Sequence, residues 1–121
     1  MNKNTFIKNL NILDGIITYN DFDIDPKNPF ENQKYSFKED ILQIKFGSRF
    51  ILDVGWQPEF DEKGYFITRV VIDHDWMNPL LELKCKDLGE LKKDIEKASI
   101  VIKLKKEQNL PYRDVEFDTY E

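Results

Sequence analysis

Cysteine and histidine each occur once in this chain of 121 residues, as Cys85 and His74. A single cysteine rules out an internal disulfide framework and any Cys-x-x-Cys metal or redox motif. No apolar run is longer than four residues, too short for a signal-peptide core or a membrane span, so a cytoplasmic protein away from membranes is expected. An excess of positive charge is also missing: 18 Lys plus Arg stand against 23 Asp plus Glu, a net of −5. Because neutralising phosphates supplies most of the affinity of a general nucleic-acid binder, direct binding to nucleic acid is not expected. What the chain has is apolar and aromatic residues in quantity, 40% apolar with nine Phe, five Tyr and two Trp. That composition fits neither a disordered nor a low-complexity chain. Its length is that of a single domain able to bury a core.

Charge is unevenly spread. Residues 1–83 carry a net of −5, residues 84–106 a net of +4 and residues 107–121 a net of −4. In the basic segment, Leu88, Leu91, Ile95, Ala98 and Ile102 recur at spacings of three and four, the apolar stripe of an amphipathic helix over 87–107. Asp87 stands at the N-cap position with Glu90 three residues on, and Lys103, Lys105 and Lys106 crowd the far end, where cations suit the helix dipole.

Upstream, residues 36–86 read as antiparallel strands. Leu42, Ile44 and Phe46 alternate with polar neighbours; Leu52, Val54 and Trp56 share one face; Phe66, Thr68, Val70 and Ile72 share another. A fourth short strand, LLELKC, follows Pro79. Residues 1–35 are less patterned: TFIKNLNIL suits a short helix with Phe6, Ile7, Leu10 and Leu13 on one side, GIITYNDFDI a further strand, and DPKNPFENQK a loop. Residues 108–121 form an acidic tail in which Val115 and Phe117 alternate with acids, the pattern of an edge strand or an extension. The expected class is α+β: an antiparallel sheet of about four to five strands against a long C-terminal amphipathic helix, with a short N-terminal helix possible.

No motif carries recognisable catalysis. Asp21, Asp23 and Asp25 have the opening rhythm of a calcium loop, but Pro26 and Asn32 occupy the positions that require Gly and Glu. Around His74, Asp73 and Asp75 point to the opposite strand face, and nothing local ties His74 to Cys85 as a nucleophilic pair. Glu59, Asp61 and Glu62 lie in a turn six to nine residues after Asp53. They suit either a solvated turn or an acidic recognition surface, and Asp53, Glu59 and His74 are the groups a small cytosolic hydrolase would use. GxGxxG, P-loop, HExxH and GxSxG patterns are absent, and neither a cofactor nor a resident metal is expected. Trp56 continues the inward alternation of its strand, whereas Trp76 sits in a connection. Both are surrounded by carboxylates, as an aromatic hot spot facing a Lys- and Arg-rich partner would be. A homodimer joined through a sheet edge or the tail is a further reading.

The run LDVGWQPEFDEKGYFITRVVIDHDWMNPLLELKCKDLGELKKDIE, residues 52–96, resembles small bacterial immunity proteins of polymorphic-toxin and contact-dependent growth-inhibition systems. Asp53, Gly55, Trp56, Pro58, Glu59, Asp61, Gly64, Phe66, Asp75, Trp76, Asn78 and Pro79 carry the likeness. The resemblance implies a protein without enzymatic activity that neutralises a cognate toxin C-terminal domain, often a basic nuclease, by stoichiometric, electrostatically steered binding. Candidate contact residues are Asp21, Asp23, Asp25, Trp56, Glu59, Asp61, Asp73, Asp75, Trp76, Asp114, Glu116 and Asp118.

Overall fold

The computed structural model describes the backbone of residues 4–115 and the side chains of residues 5–108. A one-turn helix α1 (Asn4–Lys8) leads into β1 (Ile16–Asn20), then β2 (Leu42–Phe46), β3 (Phe50–Gln57), β4 (Tyr65–Ile72), β5 (Leu81–Cys85) and helix α2 (Leu88–Val115). The five strands form one antiparallel sheet in the order β1-β2-β3-β4-β5. Each strand pairs with its sequence neighbour; β2 and β3 are joined by the tight turn 47–49, whereas β1 and β2 are joined by the long segment 21–41, which places Phe22, Ile24, Phe37 and Ile41 in the core.

One face of the sheet carries the core. Leu42, Ile44 and Phe46 of β2, Phe50, Leu52, Val54 and Trp56 of β3, and Phe66 and Val70 of β4 meet Leu91, Ile95, Ala98 and Ile102 of α2. The four α2 residues are at most 1% exposed, so the stripe read from the sequence is the buried one. Asp87 Oδ1 accepts the Glu90 backbone N–H at 2.8 Å, which makes Asp87 the N-cap. At the Gln57 end of β3, Trp56 joins Phe30, Phe37 and Phe66 in an aromatic cluster with ring centroids 4.7 to 6.1 Å apart.

The N-terminal segment closes one side of this core. The Phe6 ring stacks on Phe22 at 4.8 Å, the Asn11 backbone N–H donates to Glu96, and Lys106 reaches Asp14 at 3.3 Å. Here the helix is shorter than the sequence suggests. It ends at Lys8, and Leu13 turns outward at φ 56° instead of sharing a face with Phe6 and Leu10, because a turn closed by Gly15 N–H on the Ile12 carbonyl follows. The stretch DPKNPFENQK is a loop with a short 3₁₀ turn at Phe30–Asn32, followed by another at Lys34–Ser36. At the other terminus α2 continues to Val115, so the part of the acidic tail up to that residue is helical backbone and not an edge strand; Glu116 and Asp118 lie outside the described residues. No helix among the described residues is long and apolar enough to cross a membrane.

A candidate acidic recognition face

On the sheet face opposite α2, register places five polar residues side by side, one from each strand: Tyr19, Gln43, Asp53, Arg69 and Glu82. Gln43 Nε2 donates to Asp53 Oδ1 at 2.9 Å, and Arg69 Nε donates to Glu82 Oε2 at 2.6 Å. Asp53 is 8% exposed. Burial raises its carboxyl pKa, the neighbouring Asp40 and Glu39 add to that, and the Gln43 bond and Arg69 oppose it.

A bulge brings further carboxylates to this row. Ile41 N–H donates to the Val54 carbonyl and Trp56 N–H to the Lys38 carbonyl, so Glu39 and Asp40 together stand against Gly55 alone. Only glycine suits position 55. A Cβ there would overlap the Glu39 carbonyl oxygen and stand 2.9 Å from its carbonyl carbon. Two adjoining recesses result. One, of about 290 Å³, is lined by Glu39, Asp40, Gln43, Asp53, Gln57, Arg69 and Trp76; the other, of about 480 Å³, by Glu39, Gln57, Pro58, Glu59 and Tyr65. Four carboxylates thus line the pair against one guanidinium, itself bound to Glu82.

Trp76 reaches this face because the β4–β5 connection leaves the strand sharply. Asp73 and His74 both adopt left-handed backbone (φ 56° and 62°), and Asp73 is gripped by Arg49 through two bonds of 3.0 and 2.9 Å. Trp76 remains 43% exposed at the recess wall.

The residues picked out by sequence divide clearly. Glu59 and Trp76 line the recesses. Trp56 is 3% exposed and part of the aromatic core, and its Nε1–H donates to the Asp61 carbonyl at 2.8 Å, so strand alternation, not the surrounding acids, decides its place. Asp21 and Asp23 share the ammonium of Lys38 at 2.9 and 3.6 Å, which offsets one of their two charges. Asp25 caps a turn through the Lys27 N–H and the Asn28 side chain, Asp61 accepts the Lys63 N–H, and Asp75 accepts from Asn78. Asp114 lies on the helical backbone of α2. Glu39, Asp40, Gln43, Gln57 and Arg69 escaped the sequence reading, because only cross-strand register and the bulge bring them together.

The groups of the hydrolase reading do not share a recess. Asp53 lines one, Glu59 the other and His74 neither. Pairing of Phe50 with Ile72 and of Gln57 with Tyr65 puts His74 and Glu59 beyond opposite ends of β3, seven residue steps or roughly 23 Å apart along the strand. Cys85 is buried, and that burial, with Asp94 next to it, pushes its thiol up to about 12, far from a thiolate nucleophile. Among the described residues no group of three or more His, Cys, Asp or Glu could hold a metal ion. Comparison with family models, with curated proteins and with solved structures returns no match.

Proposed function

We propose that this chain is an immunity protein that neutralises the toxin domain of a polymorphic-toxin or contact-dependent growth-inhibition system by occluding a basic surface. The observation that carries the reading is the pair of adjoining recesses, where Glu39, Asp40, Asp53 and Glu59 surround one paired guanidinium and the exposed ring of Trp76. The residues of the likeness divide in the same way. Gly55 and Gly64 have no room for a Cβ, Trp56 and Phe66 fill the core, and Asp75 and Asn78 close a turn. Asp53, Glu59 and Trp76 instead line the recesses. An acidic face with an aromatic anchor suits a basic nuclease groove: charge speeds encounter, and a buried aromatic supplies binding energy.

The test pairs the purified chain with the toxin domain encoded by the adjacent gene. One-to-one association, loss of toxin activity in the complex and an association rate that falls as salt rises are expected. Asp40→Lys, at an exposed position, should slow association roughly tenfold at low salt without lowering thermal stability, since it removes a like charge beside Asp53. No association at low salt, or an Asp40→Lys variant that associates as fast as the parent, refutes the proposal.

A further inference from the structure

The smaller recess has the features of a socket for one side chain. Its floor is Asp53, the most buried of its lining residues. Oδ1 is held by Gln43, and Oδ2 accepts no hydrogen bond from any described residue. The nearest cation does not satisfy it, since Arg69 is turned to Glu82 at 2.6 Å. Above the floor, the side chains of Glu39 and Asp40 make no hydrogen bond or ion pair with a described residue. The indole of Trp76 forms a wall with nothing stacked on it. A deeply placed carboxylate with one unused oxygen, two more at the rim and a free aromatic face together define a cation of particular shape. An ammonium would satisfy the charge alone. A guanidinium also offers a flat face to the indole and in-plane N–H groups to the carboxylates and to the carbonyl oxygens of Gln43 and Gln57.

We infer that this recess receives an arginine side chain of the partner protein, stacked on Trp76 and paired with Asp53. The inference rests on the reading of the chain as an inhibitor of a basic protein and names the anchor of that contact. Arrival of the cation adds a counter-charge to the partial one that Glu82-bound Arg69 offers Asp53, so binding energy concentrates at one point of a broad acidic face.

The probe is N-acetyl-L-arginine methylamide, titrated into the full chain and followed by NMR at the Trp76 indole N–H and the side-chain amides of Gln43 and Gln57. Saturable shifts in the millimolar range are expected, larger than those from sodium chloride at equal ionic strength, and weakened at least fivefold in Asp53→Asn and in Trp76→Leu. Asp53→Asn keeps the acceptor for Gln43, and Trp76 is exposed, so both variants retain the fold, which the rest of the spectrum verifies. Shifts that do not saturate, that persist unchanged in both variants, or that the lysine analogue reproduces equally overturn the inference. A dimer of this chain that Asp53→Asn dissolves also overturns it, by making a second copy the occupant. The toxin-binding test is separate. Toxin association without a response to the probe removes only the socket, and a probe response without toxin association removes only the immunity reading.

Discussion

Replacing Gly55 by alanine should damage the recognition face and the fold together. The new methyl group would occupy the space of the Glu39 carbonyl, a backbone atom that cannot rotate away, so the segment 38–40 must lift from β3. Two backbone bonds hold that segment, Trp56 N–H to Lys38 O at 2.8 Å and Ile41 N–H to Val54 O at 2.9 Å. At about 1 kcal/mol net for each bond, their loss costs about 2 kcal/mol. Partial exposure of Ile41, fully buried in the parent, adds about 1 kcal/mol. The sum of about 3 kcal/mol leaves most domains folded. The urea midpoint should therefore fall while the transition stays cooperative. Hydrogen exchange should show lost protection at the Trp56 and Ile41 amides and retained protection at Leu52 and Val70. Probe binding in the recess should vanish, since Glu39 and Asp40 are carried away with the bulge. An unchanged midpoint with both amides still protected would refute the steric argument and with it the account of why glycine stands there.

Other perturbations isolate single features. Ile95→Ala, at a fully buried position under the sheet, should cost about 2–5 kcal/mol in urea unfolding, and a loss below about 1 kcal/mol would mean that α2 packs more loosely than described. Asp87→Ala removes the N-cap of α2 and should cost about 1 kcal/mol, read as a lower melting temperature with an unchanged core spectrum. Asp53 should govern part of the pH dependence of stability. Burial, with Asp40 and Glu39 nearby, raises its folded pKa above the unfolded value, Gln43 and Arg69 opposing. The folded state thus holds the proton more tightly, and this contribution, full below the unfolded pKa, is lost as pH rises through the folded one. Asp53→Asn should lose less stability than the parent between pH 4 and pH 7, and identical slopes would show that Asp53 titrates as in the unfolded chain. Trp56→Phe removes the donor to the Asp61 carbonyl and should cost about 1–2 kcal/mol, whereas Trp76→Phe should be near neutral by the same unfolding measurement.

The elements that the sequence made legible are those whose periodicity is strong. Leu91, Ile95, Ala98 and Ile102 could be assigned to a buried stripe because the 3.6-residue repeat runs without interruption, and β2 to β5 because each alternates or is bounded by turn residues. The extent of α1 was not legible, since Phe6, Ile7, Leu10 and Leu13 keep a helical spacing that the turn at Gly15 overrides. Of the site, only Glu59, Trp76 and the grouping of acids near Asp53 could be read in advance. Gln43 and Arg69 meet Asp53 solely through cross-strand register, and Glu39 and Asp40 reach it through a two-for-one bulge that local spacing does not encode. The two tryptophans, equally rich in acidic neighbours along the chain, separate on whether the strand is still regular: it is at Trp56, and it has ended before Trp76.

The contacts of α2 with the far N-terminal segment, from Glu96 to Asn11 and from Lys106 to Asp14, span 85 and 92 positions. A nascent chain can complete its sheet long before these partners exist, and until then Leu52, Val54, Phe66 and Val70 lie open to water and to other chains. Truncation ahead of Glu96 would therefore remove both contacts, and with them release the beginning of the molecule along with its end. Assembly is governed by the latest of these elements to leave the ribosome, and premature termination there would yield sticky, aggregation-prone sheets.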